Sequence, residues 1–115
     1  MNIILIDDDE ADNYLHKRAI EKSGHYKVLQ VFQLAVTALE WLKETDETVD
    51  LIFLDINMPI MSGFEFLEQY NSLKESNKAE SVIVMLTSSA DDRDIKQAEQ
   101  MGAKYVHKPL TEHVF

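Results

Sequence analysis

The sequence predicts an α/β protein built on a doubly wound five-stranded parallel sheet. Three short apolar runs support this prediction: Ile3–Ile6, Leu51–Leu54 and Val82–Leu86. Uninterrupted apolar runs of this length are typical of strands buried on both faces, which occur in parallel sheets covered by helices. Segments with helical periodicity alternate with the strand-like runs, and this alternation predicts right-handed crossover connections.

Length and composition restrict the class of protein. The 115 residues suffice for one domain, which we expect to span residues 1–115 with no output domain in the chain. The net charge of -10 argues against binding to nucleic acid or to an anionic membrane. No apolar run approaches the roughly 20 residues of a membrane span, and the first residues do not resemble a signal peptide. We therefore expect a cytoplasmic protein.

The first half of the chain contains two strand–helix units. The first strand is predicted at Asn2–Ile6, and the acids Asp7–Glu10 follow it. The first helix is predicted from Ala11 to about Ser23, with Gly24 as its C-terminal cap. The apolar residues expected on its inner face are Ala11, Leu15 and Ala19.

The second unit begins with a strand over Tyr26–Phe32. Its polar residues Lys27 and Gln30 indicate a position near the edge of the sheet. The second helix is predicted over Leu34–Glu44, and Trp41 is expected to be partly exposed. Its apolar stripe, spaced i, i+3, i+4 and i+7, consists of Ala35, Ala38, Leu39 and Leu42.

The central strand, Leu51–Leu54, ends in the carboxylate of Asp55. A turn is predicted directly after it from Pro59, Ser62 and Gly63. The third helix should begin near Phe64. The side chains expected along one side of that helix are Phe66, Leu67, Tyr70 and Leu73.

The last part of the chain repeats the pattern. The strand Val82–Leu86 ends in Thr87, Ser88 and Ser89, and Asp91 or Asp92 should cap the fourth helix. The inward residues of that helix are predicted to be Ile95, Ala98 and Met101, with Gly102 closing it. The final strand, Tyr105–His107, leads into Lys108-Pro109. A fifth helix would be barely begun by Thr111–Phe115, so we expect it to be truncated.

Polar residues follow the strands of this predicted sheet. The carboxyl ends of parallel strands lie at one edge, where open α/β sheets bind ligands. Each residue alone has an ordinary explanation, such as a turn, a helix start or a solvated charge. Together, three crowded carboxylates would raise one another's pKa unless a cation joined them, and oxygen ligands suit Mg²⁺. The set resembles the parts needed for phosphoryl transfer to a carboxylate, and it consists of Asp7, Asp8, Asp55, Thr87 and Lys108.

These motifs resemble a known family over the whole chain. They are Ile6-Asp7-Asp8, then Asp55-Ile56-Asn57-Met58-Pro59 with Ser62-Gly63, then Thr87-Ser88, and finally Tyr105 with Lys108-Pro109. In order and spacing they are similar to the receiver domain of two-component response regulators. The resemblance implies a flavodoxin-like receiver fold and a single-domain signalling protein.

The resemblance also implies a phosphoacceptor and a metal site. Asp55 would take a phosphoryl group from a phosphohistidine on a histidine kinase or a phosphotransfer protein. The implied cofactor is Mg²⁺, for which Mn²⁺ or another divalent cation would substitute. Its implied ligands are Asp8, Asp55 and the backbone carbonyl of Asn57, with Asp7 acting through water.

Further roles follow from the same resemblance. Lys108 would pair with Asp55 and then with the phosphoryl oxygens, and the Lys108-Pro109 bond would often be cis. Thr87 would donate its hydroxyl to the phosphoryl group while Tyr105 turns inward. Asn57 and Ser89 would tune the phosphoryl lifetime, and Ser88 would leave access open. The protein would signal to a downstream protein partner and would be no enzyme beyond its own phosphorylation and dephosphorylation.

Three alternatives differ in their chemistry. A flavodoxin-like electron carrier would bind FMN phosphate, which the acids Asp7–Glu10 would repel. A haloacid-type phosphatase would place a second titrating acid at the position of Asn57, which does not titrate. A receiver-fold interaction module would act without phosphorylation. The four histidines show no metal spacing and are expected at the surface or partly packed: His16, His25, His107 and His113.

Overall fold

Strands and helices alternate along the described chain, which comprises residues 1–75, 81–87 and 91–110 of a computed structural model. This alternation confirms the predicted α/β class. The elements are β1 Asn2–Ile6, α1 Glu10–Lys22, β2 Lys27–Phe32, α2 Ala35–Glu44, β3 Leu51–Asp55, α3 Gly63–Glu75, β4 Val82–Thr87, α4 Asp92–Gln100 and β5 Lys104–His107. The predicted start of a fifth helix, residues 111–115, lies outside the described residues.

The sheet is parallel throughout and has the strand order β2-β1-β3-β4-β5. The chain moves outward from β1 to the edge strand β2 and then returns across β1 to β3. The crevice between the carboxyl ends of β1 and β3 is therefore the topological switch point, where such sheets bind ligands. The predicted edge position of β2 is confirmed.

Alternate residues of the central strands enter two different cores. Ile4, Ile52 and Met85 pack with α2, α3 and α4 on one side of the sheet. Ile3 and Phe53 pack on the other side with Ile20 of α1 and with Leu110. This two-sided burial follows from the strand repeat of two, and it explains why β1, β3 and β4 are uninterrupted apolar runs.

The predicted inner face of α1 is wrong. Leu15 is 54% exposed, whereas the buried residues are Asn13, His16 and Ile20. The helix contains few large apolar residues, so its rotation is decided by Ile20 and by polar contacts rather than by a hydrophobic stripe. The expectation that every histidine is at the surface or partly packed is likewise wrong for His16, which is 1% exposed.

The other helices follow the predicted pattern more closely. In α2, Ala35, Ala38 and Leu39 are buried, and Trp41 packs half-buried against Phe32 with ring centroids 5.7 Å apart. The predicted stripe of α3 is buried at Phe66, Leu67 and Tyr70. The carboxylate of Asp91 accepts a hydrogen bond from the amide of Arg93 and caps α4. None of the helices in the described ranges is long and apolar enough to cross a membrane.

Candidate functional site

The loop after β1 is organised around Asp7. Its backbone amide donates to the Phe32 carbonyl, which extends the sheet pairing by one residue, and its side chain is 2% exposed. One carboxylate oxygen of Asp7 accepts from the amide of Asp9 at 2.9 Å. The side-chain amide of Asn13 donates to the carbonyl oxygen of Asp7 at 2.8 Å. Asp7 is thus fixed in backbone and side chain, while Asp8 beside it is exposed.

Asp55 is the last residue of β3 and is 8% exposed. The loop behind it closes through a hydrogen bond of 2.7 Å from the amide of Gly63 to the carbonyl of Ile56. A Cβ at Gly63 would collide with the carbonyl oxygen of Asp55 and lie 2.9 Å from Cα of Ile56. Only glycine lets α3 begin this close to the strand end, so residue 63 helps to set the position of Asp55.

Lys108 projects into the crevice from the end of β5. Its backbone amide donates to the Thr87 carbonyl at 2.8 Å, and its peptide bond to Pro109 is cis, as the family resemblance implied. The Lys108 Nζ atom lies 2.8 Å from Asp7 Oδ2, 2.9 Å from Asp12 Oδ2 and 3.3 Å from Asp55 Oδ1. The Lys108 side chain is 13% exposed, so its ion pairs with Asp7 and Asp55 are largely shielded from solvent, whereas the Asp12 side chain is 33% exposed.

Burial and the neighbouring charges together shift the pKa values of Asp55 and Lys108. Burial, followed by the charge of Asp7, raises the pKa of Asp55 from 3.8 to about 6, although Lys108 opposes the shift. Burial would lower the pKa of Lys108, but hydrogen bonds to Asp7 and Asp12 and the nearby negative charges outweigh it and raise the pKa. At neutral pH Asp55 is therefore a carboxylate and Lys108 a cation.

Three carboxylates form an acidic cluster, which we define as Asp7, Asp8 and Asp55. One oxygen from each lies within 4.8 Å of the others. A donor set made only of carboxylate oxygens suits a hard cation such as Mg²⁺, and Asn57, with a backbone carbonyl to offer, follows in the loop after β3. The residues present therefore fit a small divalent cation.

The predicted switch residues occupy the β4–β5 side of the site. Thr87 ends β4 with 2% exposure, and its neighbour across the sheet is His107. Tyr105 is half-buried on β5 opposite Met85. Ser88 and Ser89 lie outside the described residues. The structure thus brings Asp7, Asp8, Asp55 and Lys108 together, with Thr87 at the adjoining strand end.

Two residues of the site, Asp12 and Asn13, were not predicted from the sequence. Neither residue was assigned a role at the site from the sequence. Both residues follow the end of β1 closely enough to face the same edge of the sheet. That position is the one sequence signal that could have identified them. His16, one turn further along α1, has its pKa lowered mainly by burial and is neutral at neutral pH.

Comparison with known proteins places the chain in a family. Residues 3–115 match the response regulator receiver domain. The chain is 32% identical over 111 residues to the sensory/regulatory protein RpfC of Xanthomonas campestris, covering 96% of this chain but 15% of that protein. It is also 32% identical to the chemotaxis protein CheY of Halobacterium salinarum over 94% of this chain and 84% of that one.

Solved structures agree with the sequence relatives. A two-component response regulator from Cytophaga hutchinsonii superposes with a TM-score of 0.87 at 30% identity, covering 97% of this chain and 88% of that one. The receiver domain of Ssk1 from Saccharomyces cerevisiae, solved with the histidine phosphotransfer protein Ypd1, gives a TM-score of 0.81 at 25% identity over 99% of this chain and 82% of that one. The flavodoxin-like receiver fold is therefore confirmed, and the chain belongs to the response regulator receiver domain family of two-component signalling.

Proposed function

We propose that Asp55 accepts a phosphoryl group from a phosphohistidine on a histidine kinase or phosphotransfer protein. The observation that carries the proposal is the position of the Asp55 carboxylate. It ends a central strand at the switch point of the sheet, beside Asp7 and Asp8 and 3.3 Å from the Lys108 ammonium. Two members of the acidic cluster, Asp7 and Asp55, contact the Lys108 ammonium, and Asp55 is the more exposed of the two, at 8% against 2%.

The proposed reaction is a displacement at phosphorus. A carboxylate oxygen of Asp55 attacks, a P–O bond forms, and the P–N bond of the phosphohistidine breaks with its electron pair leaving on the imidazole nitrogen. The imidazole takes up a proton as it leaves the site. Lys108 neutralises part of the charge on the phosphoryl oxygens, and this electrostatic support is the main catalytic task in phosphoryl transfer.

A divalent cation, Mg²⁺ in the first instance, belongs to this proposal. Asp8, Asp55 and the backbone carbonyl of Asn57 would hold it directly, and Asp7 would contribute through water. When bound, the cation supplies positive charge to the phosphoryl oxygens and offsets the repulsion among the carboxylates. The buried Asp7 and its hydrogen bond from Asp9 keep one carboxylate of the cluster in place.

The proposed output is a change of conformation. A phosphoryl group on Asp55 adds roughly two negative charges and three acceptor oxygens. Thr87 would move to donate its hydroxyl to one of them, and Tyr105 would turn inward into the space released. Asn57 and Ser89 would set how long the phosphoryl group lasts. The balance between the two states then carries the signal.

The proposed partners are proteins. The solved complex of the Ssk1 receiver domain with Ypd1 supports a histidine phosphotransfer protein or a kinase as the donor. We propose that residues 1–115 act as one receiver domain in the cytoplasm, signal to a downstream protein, and catalyse only their own phosphorylation and dephosphorylation. The net charge of -10 supports protein contacts over nucleic acid or anionic membrane contacts.

Intact mass after incubation with acetyl phosphate and Mg²⁺ tests the proposal. The wild-type protein should gain one phosphoryl group, EDTA should prevent the gain, and Asp55→Asn should show none. Asp46→Asn, which removes an exposed acid elsewhere, is the matched control and should be modified like wild type. Modification that persists in Asp55→Asn would identify another acceptor. A folded protein that binds Mg²⁺ and takes up no phosphoryl group would favour an interaction module that acts without phosphorylation.

A further inference from the structure

Lys108 contacts Asp12 more closely than it contacts the proposed phosphoacceptor. Its Nζ atom is 2.9 Å from Asp12 Oδ2 and 3.3 Å from Asp55 Oδ1. A lysine ammonium has three donors, and here Asp7, Asp12 and Asp55 surround it. Hydrogen bonds to Asp7 and Asp12 occupy two of the donors, whereas the contact with Asp55 is an ion pair. An ammonium group drawn toward a phosphoryl group on Asp55 is therefore drawn away from Asp7 or from Asp12.

The three carboxylates differ in how firmly they are held. Asp7 is 2% exposed, accepts from the amide of Asp9, and belongs to the acidic cluster together with Asp55. Asp12 lies outside that cluster, and its side chain is 33% exposed. Within the described residues, the Asp12 carboxylate makes one hydrogen bond, which it accepts from Lys108. Water can replace that contact, so of the two hydrogen bonds from Lys108 the one to the partly exposed Asp12 opens at lower cost than the one to the buried Asp7.

We infer that Asp12 is a positioning residue that holds the Lys108 ammonium in the unphosphorylated protein and competes for it with a phosphoryl group on Asp55. The inference rests on the proposed function and adds to it an interaction that opposes the phosphorylated state. Moving Lys108 to the phosphoryl group breaks its pair with Asp12. Asp12 therefore favours the resting state of the switch without touching the phosphoryl group.

Beryllofluoride, a stable mimic of the phosphoryl group, tests the inference by titration at saturating Mg²⁺. Asp12→Asn should bind it about three- to fivefold more tightly than wild type, which is the factor expected from a partly exposed ion pair. Asp12→Glu keeps the charge and should restore wild-type affinity. Glu10→Gln removes an exposed acid from the same turn of α1 that makes no ion pair with a described residue, and its affinity should stay at the wild-type value.

A spectroscopic measurement follows Lys108 directly. The ¹⁵N resonance of its side-chain ammonium should differ between wild type and Asp12→Asn before beryllofluoride is added, and the two should coincide at saturation. Circular dichroism establishes that each variant is folded, and Asp12→Ser is a second neutral substitution if Asp12→Asn is not.

Two results would overturn the inference. Equal tightening in Asp12→Asn and Glu10→Gln would assign the effect to net charge alone, and weaker binding by Asp12→Asn would show that Asp12 assists the phosphoryl group. Neither result touches the proposed function, which fails separately if Asp55→Asn binds beryllofluoride as wild type does.

Discussion

The ammonium of Lys108 lies 2.8 Å from the carboxylate of Asp7, across 101 residues of sequence. The two residues follow β5 and β1, strands separated in the sheet by β3 and β4. Their contact spans the carboxyl edge of the sheet and passes beside Asp55. The proposed phosphoacceptor Asp55 thus lies beside the Asp7–Lys108 ion pair, which joins two distant strand ends. The charge on Asp55 therefore affects the stability of the fold.

Replacing Lys108 should destabilise the protein. Lys108→Met leaves the buried carboxylates of Asp7 and Asp55 without their cation, and we expect the free energy of unfolding in urea at pH 7.5 to fall by about 3 kcal/mol. Arg93→Met is the control because Arg93 is 91% exposed and pairs with Asp91 at the surface. It should leave the free energy of unfolding nearly unchanged. Similar losses of unfolding free energy in both variants would contradict the view that the ion pairs of Lys108 with Asp7 and Asp55 are buried.

Asp55→Asn should stabilise the metal-free protein at neutral pH. Burial and the charge of Asp7 raise the pKa of Asp55 from 3.8 to about 6, so the folded state binds this proton more tightly than the unfolded chain does. Its ionisation therefore costs stability as pH rises from about 4 to about 6, by up to about 3 kcal/mol in total. The asparagine variant avoids this cost at pH 7.5, and its advantage should shrink as pH falls from about 6 toward 4.

Urea unfolding in EDTA at pH 7.5, 6 and 4.5 measures this difference. Asp46→Asn, at an exposed position, should show no comparable pH-dependent gain. An advantage of Asp55→Asn that stays constant across the three pH values would mean that packing, not ionisation, causes it.

Mg²⁺ should raise the melting temperature of the wild-type protein. A cation at tenfold its dissociation constant stabilises the folded state by about 1.4 kcal/mol, which corresponds to several degrees for a domain of this size. Asp8→Ala should remove the response because Asp8 is a member of the acidic cluster, and it should leave the metal-free protein as stable or slightly more stable. Glu10→Gln should keep the response. A shift that persists in Asp8→Ala would exclude Asp8 as a ligand.

Gly63→Ala should disturb both stability and the site. The added methyl group would meet the backbone of Asp55 and Ile56, which moves only if the end of β3 moves. We expect a loss of about 2 kcal/mol or more in urea unfolding and a lower yield of phosphorylated protein. Gly102→Ala is the matched control, since φ is 83° there and no atom of the described residues, apart from the chain neighbours, lies within 4 Å of the added group. Strain alone should cost it about 1 kcal/mol and leave phosphorylation intact. Equal losses of stability and of phosphorylation in the two variants would contradict the proposal that Gly63 sets the position of Asp55.

Much of the fold could be predicted because the central strands are uninterrupted apolar runs that are easily recognised in the sequence. The runs that became β1, β3 and β4 are buried on both faces, so hydropathy alone distinguishes them, and the alternation with helices predicts a parallel sheet. The side chains at the strand ends were predictable for the same reason. Once the strands are parallel, Asp7, Asp55 and Lys108 must share an edge.

The buried face of helix α1 could not be predicted from the hydropathy pattern. Its apolar residues predicted one face, whereas Asn13, His16 and Ile20 form the buried one. The hydrogen bond from Asn13 to the carbonyl of Asp7 helps to fix the rotation of the helix, and hydropathy contains no information about such a contact. That rotation in turn directs Asp12 toward Lys108.

The sequence by itself determined the α/β class, the order of the elements and the residue types at the carboxyl edge, because strand burial and crossover handedness are local and general properties. Only the tertiary structure decided how Lys108 divides its contacts among Asp7, Asp12 and Asp55. These three contact distances differ by only a few tenths of an ångström and join residues about 50 to 100 positions apart. Such differences depend on how the helices rotate and pack, and no local pattern encodes them.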